Sequence, residues 1–424
     1  MKCLKHVVVL SAATPRREAP LYRGLIAIAA VACAALEVAS AYAGGCPKAE
    51  CPIGVFDSGV GGLTVLDKLL SVDVVDNATG RPGADGIPDL QGERFTFLGD
   101  QANLPYGNYA GYGKSMFLRE LAIRNALFLT SDGYYKDAAE SFPGGVKDPA
   151  KIVVIACNTA TAYGLKAIES TFLNAGARIR VVGVVNAGCR SVLNQLGAGP
   201  DSPPFAVGIL STAGTYASGA YPRTLLEEAA KRGMKNPPVA VALGCPHLAD
   251  SIELGRPQVG TLARKYLADL MEAHRASGSK APLRALILGC THYPFVQRHF
   301  EDELSALRKD PKYAPLLAPD FRFIDPAVDT AIECRRLLAE DGLLANRAGE
   351  SSVAAYVSIP SASLPPEKVQ ANGTLADDYK YGREPGRDVV DSKYVPIAKG
   401  TVDREAFYRL VDMLPAVSRH LRRE

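Results

Sequence analysis

Two cysteines occur in the same sequence setting, directly after an apolar run and directly before small polar residues. The two stretches read I-V-V-I-A-C-N-T at 152–159, around Cys157, and L-I-L-G-C-T-H at 286–292, around Cys290. An apolar run without alternation is typical of a parallel strand covered on both faces by helices. Open α/β sheets bind their ligands at the carboxyl ends of such strands. Both thiols are therefore predicted to lie at ligand-binding sheet edges.

Placed on opposite walls of a cleft, Cys157 and Cys290 suit the removal of a proton from one face of a carbon and its return to the other face. The base in this reaction must be a thiolate, and an unperturbed thiol has a pKa of about 8.5. A helix amino end behind each cysteine favours the anion. Asp57 and His292 are the candidate partners for proton transfer, beside Cys157 and Cys290 respectively.

Polar residues next to the strand ends are the candidate groups for holding a carboxylate and stabilising charge that develops beside it. They are Ser58, Asn158, Thr159, Thr212 and Thr291. Pyridoxal phosphate is not required, because no lysine stands in a Schiff-base setting. A zinc site is not expected, because the cysteines lack C-x-x-C spacing, and the aspartates at 73–89 lack the ligand order of an EF-hand.

Other cysteines and histidines have simpler interpretations. A strand-end or helical cysteine is usually a small buried hydrophobe. That interpretation is assigned to Cys189, Cys245 and Cys334, while His274, His299 and His420 are expected to be exposed helix residues. His247 and Glu253 lie in a polar segment after a predicted strand, and either can face the cleft.

The positioning elements alternate between strands and helices, which predicts parallel sheets. Strands are expected at 95–98, 152–155, 180–185, 205–210, 239–243, 284–288 and 321–324, and helices at 114–129, 259–276, 295–307, 327–339 and 405–421. The strand and glycine-rich turn at 53–59 are echoed at 207–214. This repeat predicts two similar parallel-sheet α/β domains, related by pseudo-symmetry, with the active site in the cleft between them.

Composition and the amino terminus limit the class of protein. The chain has 424 residues, 47% of them hydrophobic, a net charge of +3 and no tryptophan, so a nucleic-acid-binding surface is not indicated. Residues 1–45 have the features of an export leader, with arginines before an apolar run that is too short for a stable membrane span. The protein is therefore exported or periplasmic if the leader is genuine, and cytoplasmic if the start site is misassigned.

The assembled motifs resemble glutamate racemases, in the order in which that family carries them. They are I-G-V-F-D-S-G-V-G-G-L-T-V at 53–65, P-Y-G at 105–107, A-C-N-T-A at 156–160, S-G-A-Y at 218–221 and G-C-T-H-Y-P at 289–294. The resemblance implies a cofactor-independent two-base racemase that interconverts L- and D-glutamate. It implies that Cys157 and Cys290 act from opposite faces and that Asp57 and His292 assist.

The resemblance also implies the contacts and the domain plan. Substrate-contacting positions match Asp57, Ser58, Tyr106, Gly107, Asn158, Thr159, Thr291 and His292, and Glu253 is similar to a family glutamate after a C-P motif. The first α/β domain is expected to comprise 52–187 together with 325–424, and the second to comprise 188–324. The tail at 351–401, which lies outside the resemblance, has little periodicity and is interpreted as a surface extension.

Departures from the pattern leave alternatives open. Asn103 stands where the segment before P-Y-G commonly has arginine, and N-A-G at 186–188 replaces a usual E-P-G turn. The alternatives are a racemase for aspartate or another acidic amino acid, and an exported protein that binds acidic amino acids without turnover. In each case the partner is a small acidic amino acid, and a homodimer is compatible with the sequence.

Overall fold

The computed structural model describes residues 48–346, 349–386, 390–398 and 400–421. The leader expected at 1–45 lies outside the described residues. Within the described part of the chain, no helix has both the length and the hydropathy needed to cross a bilayer.

Twelve strands form two main sheets and one hairpin among the described residues. In chain order they are β1 (Ile53–Asp57), β2 (Arg94–Gly99), β3 (Gly133–Tyr134), β4 (Gly145–Val146), β5 (Ile152–Ile155), β6 (Arg180–Gly183), β7 (Ala206–Ser211), β8 (Val239–Gly244), β9 (Leu283–Gly289), β10 (Leu317–Ile324), β11 (Ser352–Pro360) and β12 (Ser392–Pro396). The predicted strand at 180–185 ends earlier, because a helix begins at Val184.

The helices connect these strands and cover both faces of each main sheet. They are α1 (Leu63–Ser71), α2 (Ser115–Thr130), α3 (Asn158–Asn174), α4 (Val184–Gln195), α5 (Ala213–Ala217), α6 (Ala220–Lys231), α7 (Leu248–Glu253), α8 (Val259–Ala276), α9 (Gln297–Leu307), α10 (Pro326–Glu340), α11 (Asp377–Gly382), α12 (Arg404–Asp412) and α13 (Pro415–Leu421). The helix predicted at 405–421 is thus two helices, and the second begins at Pro415, which is favourable at a first helical position.

The two main sheets share one strand order. The first sheet runs β12-β11-β2-β1-β5-β6 and the second runs β10-β9-β7-β8. In each half the first strand is central, the second strand lies on one side, and the third and fourth lie on the other. All pairings among these eight strands are parallel. The predicted fold class, with two similar parallel-sheet α/β units, is confirmed.

Apolar strands explain why both sheets are covered on two faces. Every residue of β5 is buried, as is every residue of β7. One face of the first sheet packs on α1, α10 and the last two helices, and its other face packs on α2 and α3. The second sheet packs on α8 and α9 on one face and on α4 and α6 on the other. Each sheet is therefore the middle layer of a three-layer unit.

The carboxyl-terminal part of the chain differs from the sequence interpretation. The tail does not lie only on the surface, because β11 pairs in parallel with β2, and β12 pairs antiparallel with β11. Val357 on β11 is fully buried. The strand was missed because the segment 351–401 as a whole is rich in Ser, Pro, Asp and Gly, although it contains the short apolar run V-A-A-Y-V at 353–357. The proposed division at 187/188 falls inside α4, and the domain limits stay a prediction.

Candidate active site

The carboxyl ends of β1 and β5 bring three predicted site residues together. The two strands pair side by side, with Phe56 opposite Ile155. Asp57 ends β1 and is followed by Ser58, and Cys157 caps the amino end of α3. The central strand and its neighbour thus deliver a carboxylate, a hydroxyl and a thiol to one edge, as the sequence predicted.

Cys157 is a buried thiol with polar neighbours. Its Sγ donates to Ser58 Oγ over 3.7 Å and accepts from the Ala160 backbone N–H over 3.4 Å. Burial raises the pKa of Cys157 well above the ordinary value, and the carboxylate of Asp57 raises it further. The contact from the Ala160 N–H at the start of α3 acts in the opposite direction but is outweighed. Cys157 is therefore a protonated thiol in the resting structure.

Cys290 lies at the equivalent end of β9 and has a histidine as its partner. Its Sγ lies 3.6 Å from Nδ1 of His292, and Nε2 of the same ring lies 2.9 Å from Oε2 of Glu253. Burial alone would lower the pKa of His292, but the contacts with Cys290 and Glu253 outweigh it and raise that pKa well above its usual value. This direction favours the imidazolium form, in which both ring nitrogens are donors.

Asp57 lies between the two halves of the site. Its Oδ2 accepts from the Gly62 backbone N–H at 2.6 Å, and Thr291 Oγ1 lies 3.5 Å from the same oxygen. Burial raises the pKa of Asp57, although the positive charge of His292 lowers it in part. None of the described residues donates to Oδ1 with hydrogen-bond geometry. That oxygen is a buried acceptor that remains available to a cationic group.

The glycine-rich turn after β1 fits closely against His292. A methyl group added at Gly61 would lie 2.4 Å from His292 Cε1, and one at Gly62 would lie 2.5 Å from Asp57 Cβ. These positions need glycine because the backbone and side chains approach too closely for any Cβ. The turn therefore brings the first half into contact with the histidine of the second half.

Three threonine hydroxyls from both halves form a cluster. Thr159 Oγ1 lies 3.1 Å from Thr212 Oγ1 and 2.9 Å from Thr215 Oγ1, and the last two lie 3.0 Å apart. Thr212 also caps α5, since its Oγ1 accepts from the Thr215 N–H. The hydroxyls of Thr159 and Thr212 were predicted from the sequence, whereas Thr215 was not.

The P-Y-G loop, defined here as residues 100–109, approaches the same cluster. A methyl group added at Gly107 would lie 3.1 Å from Thr212 Cβ. The Tyr106 hydroxyl donates to Asp100 and accepts from Asn125 Nδ2 at 2.8 Å, so it points into the core of the first unit. Gly107 is therefore at the junction, and a substrate contact from Tyr106 stays a prediction.

Sequence reasoning missed two further polar groups at the site. The Tyr221 hydroxyl donates to Asn158 Oδ1 at 2.5 Å, and Gln101 Nε2 lies 3.5 Å from Glu253 Oε1. Tyr221 belongs to the S-G-A-Y motif that carried part of the resemblance, so its signal was present. No sequence motif pointed to Gln101, because its contact with Glu253 joins residues that belong to different units.

The structure gives the burial of three polar residues, Glu253, His247 and His274, for which the sequence raised an expectation. Glu253 is buried beside His292, whereas His247 is exposed at the start of α7 with a positive φ of 63°. His274 was expected to be exposed, but it is fully buried and its Nε2 lies 3.0 Å from the Ala281 carbonyl oxygen. The reason is that its position on α8 faces the sheet. Within the described ranges, no group of three or more His, Cys, Asp or Glu side chains is arranged to hold a metal ion.

Comparison with known proteins places this arrangement in a family. No family model matches the chain. A glutamate racemase from Thermus thermophilus is 32% identical over 302 residues, which are 70% of this chain and 83% of that protein. One from Methylococcus capsulatus is 30% identical over 301 residues, with the same two coverages. A crystal structure of a glutamate racemase isoform from Bacillus anthracis is 26% identical, covers 72% of this chain and 88% of that chain, and has a TM-score of 0.49. The similarity to the curated relatives extends over most of both chains, and the chain belongs to the glutamate racemase family.

Proposed function

We propose that this chain racemises glutamate by a two-base mechanism that uses Cys157 and Cys290. The observation that carries the proposal is the equivalent placement of the two thiols, each within two residues of the carboxyl end of the third strand of its sheet in chain order. A racemase must act on two faces of one carbon, and two similar units that face each other supply one acid–base group per face. The glutamate specificity is supported by the names of the curated relatives.

The protonation states assign a direction to the resting enzyme. The contacts with Cys290 and Glu253 raise the pKa of His292 and so favour an imidazolium facing Cys290, whereas burial and Asp57 raise the pKa of Cys157 and favour its thiol. In this form Cys290 takes the α-proton from one face, and the electron pair of the broken C–H bond passes to the carbanion. The Cys157 thiol then gives its proton to the opposite face. The product leaves an enzyme with a Cys290 thiol and a Cys157 thiolate, which is ready for the reverse reaction.

Asp57 is suited to the α-ammonium group of the substrate. Its Oδ1 is buried and meets no donor among the described residues, and leaving such an acceptor unpaired costs about 1–3 kcal/mol. An ammonium group would satisfy that oxygen and would keep Asp57 ionised. Binding the cation next to the α-carbon also stabilises the carbanion electrostatically.

Hydroxyl and amide donors are suited to the carboxylates. Ser58, Asn158 and Thr291 lie beside the two cysteines, while Thr159 and Thr212 form the cluster at the junction. A positioned base contributes roughly 10²- to 10⁴-fold to the rate, which is too little for an amino-acid α-proton. These donors are therefore proposed to supply much of the remaining stabilisation.

The deciding experiment uses the reduced protein with L-glutamate in D₂O. We expect loss of the α-proton signal by NMR together with formation of D-glutamate, and loss of racemisation in both Cys157→Ser and Cys290→Ser. Binding of glutamate without exchange would instead favour the non-catalytic binder. Faster exchange with aspartate would favour the alternative substrate, and full activity in either serine variant would refute the two-base assignment.

A further inference from the structure

The P-Y-G loop is hydrogen-bonded to a part of the chain that the family resemblance does not include. This part is the 374–383 segment, which contains α11 and follows β11. Leu375 N–H donates to the Ala102 carbonyl oxygen at 2.9 Å, and Ser358 on β11 donates to Asp100 Oδ1 at 2.6 Å. The first residues of the loop are therefore tied to the carboxyl-terminal extension through both backbone and side chain.

Two cations of the 374–383 segment reach the middle of the loop. Lys380 Nζ donates to the Leu104 carbonyl oxygen at 2.6 Å, and its side chain is only 2% exposed. Arg383 donates to Asn103 Oδ1 at 2.6 Å and to the Tyr109 hydroxyl at 3.2 Å. Hydrogen bonds from buried charged donors are the strong ones in proteins. The residues immediately before P-Y-G thus have a fixed position.

Aromatic contacts extend this attachment to the end of the loop. The Tyr381 ring packs edge-on against Tyr109, with ring centroids 5.0 Å apart, and stacks on Tyr112 at 4.3 Å. Arg383 is held in turn by Asp391 Oδ2 at 3.2 Å. The segment therefore contacts the loop on both sides of P-Y-G and is itself anchored.

The P-Y-G loop also contacts the second unit, at Gly107. A methyl group added at Gly214 would lie 2.5 Å from the Gly107 carbonyl oxygen, and Gly107 also meets Thr212. A shift of the loop by about one ångström would therefore change the hydroxyl cluster at Thr212. Displacements of this size at a binding site are enough to lower affinity or rate substantially.

We propose that Lys380 and Arg383 are positioning residues of the active site, which hold the P-Y-G loop against the second unit so that the loop is preformed for an acidic amino acid. The inference rests on the proposed function for its kinetic readout. Neither side chain is proposed to touch the substrate, because both are buried and their hydrogen bonds are made to the loop itself. Their contribution is preorganisation, which acts mainly on substrate affinity.

The test compares Lys380→Met and Arg383→Lys with Lys393→Met in the full chain. Lys393 is a matched control, because it is also a buried lysine of the extension and donates to the carbonyl oxygens of Ala138 and Glu140, away from the P-Y-G loop. We expect the first two variants to raise the KM for glutamate about 10-fold with a smaller change in kcat, and the control to keep the wild-type KM.

Hydrogen exchange separates this inference from the proposed function. Backbone amides at 102–109 should exchange at least about 10-fold faster in Lys380→Met than in Lys393→Met, whether or not the protein racemises glutamate. Wild-type protein without racemase activity would contradict the proposed function only. A wild-type KM and unchanged exchange in folded Lys380→Met and Arg383→Lys, or an equal effect in Lys393→Met, would overturn the positioning role.

Discussion

His292 and Glu253 form a buried pair in which the ring Nε2 lies 2.9 Å from the carboxylate Oε2. The other ring nitrogen faces Cys290, so the histidine lies between the glutamate and the thiol. Glu253 is therefore expected to control the proton of His292, and hence the charge next to Cys290.

Glu253→Gln tests this relationship. We expect a roughly 10–100-fold lower kcat, because a charge-assisted hydrogen bond to the imidazolium is lost. The carboxylate raises the pKa of His292, so its removal lowers that pKa. His292 loses its proton as the pH rises through the pKa, and the alkaline limb of the kcat–pH profile should move to lower pH.

The control for this variant is Glu228→Gln. Glu228 is also buried in the second unit, but it pairs with Lys231. An unchanged alkaline limb in Glu253→Gln, or the same displacement in Glu228→Gln, would argue against a link between Glu253 and the histidine.

Gly61→Ala should displace His292. The added methyl group would lie 2.4 Å from Cε1, well inside van der Waals contact. We expect kcat to fall by about 100-fold, as for other misplacements near reacting groups, with a crystal structure showing a rotated ring. Gly199→Ala is the matched control, because an added methyl group there meets no atom within 4 Å. Wild-type turnover in Gly61→Ala would contradict the close fit.

Thiol alkylation should distinguish the two cysteines. At about pH 7 iodoacetamide is expected to modify Cys290 before Cys157, since only the thiolate reacts and burial raises the pKa of Cys157. Burial also raises the pKa of Cys245, to about 12, and that thiol should stay unmodified. Peptide mapping by mass spectrometry gives the order, and glutamate should slow the reaction at Cys290. Preferential modification of Cys157 would reverse the assigned resting state.

The buried Lys151–Glu93 pair should stabilise the first unit. Nζ lies 2.6 Å from Oε2, and neither side chain is more than 2% exposed. Lys151→Met leaves the Glu93 carboxyl buried without its cation, so we expect a loss of about 3–5 kcal/mol in the free energy of unfolding in urea.

Arg94→Gln is the comparison for Lys151→Met. Arg94 pairs with Asp148 at 2.6 Å, but both side chains are about one third exposed or more. A loss of about 0–1 kcal/mol is expected for that pair. Equal losses in the two variants would show that burial does not distinguish the pairs.

Much of the fold could be predicted, because short stretches of the sequence indicate its strands and helices. The apolar run before Cys157 predicted β5, and the repeat of 53–59 at 207–214 predicted the two sheets. Both cysteines and their immediate neighbours follow from strand ends. The strand β11 was not identified, because its short apolar run at 353–357 lies in a segment rich in Ser, Pro, Asp and Gly.

Long-range pairings explain the remaining gaps in the site. The contact between Gln101 and Glu253 joins residues 152 positions apart, and Arg383 reaches Asn103 across 280 positions. The periodic pattern of apolar residues within one helix or strand does not predict such contacts, because each contact depends on how distant parts of the chain pack together. Glu253 was a candidate from its polar segment after a predicted strand, and the family resemblance supported it, but its pairing with His292 was not predicted.

The two sheets have the same strand order, and each has a cysteine at the carboxyl end of its third strand in chain order. L- and D-glutamate are mirror images of equal free energy in water, so kcat/KM must be the same for the two directions of the reaction. That equality is set by the equilibrium constant and does not depend on the symmetry of the protein frame. Where the frame is asymmetric, with His292 on one side and Asp57 on the other, kcat and KM are free to differ individually between the enantiomers.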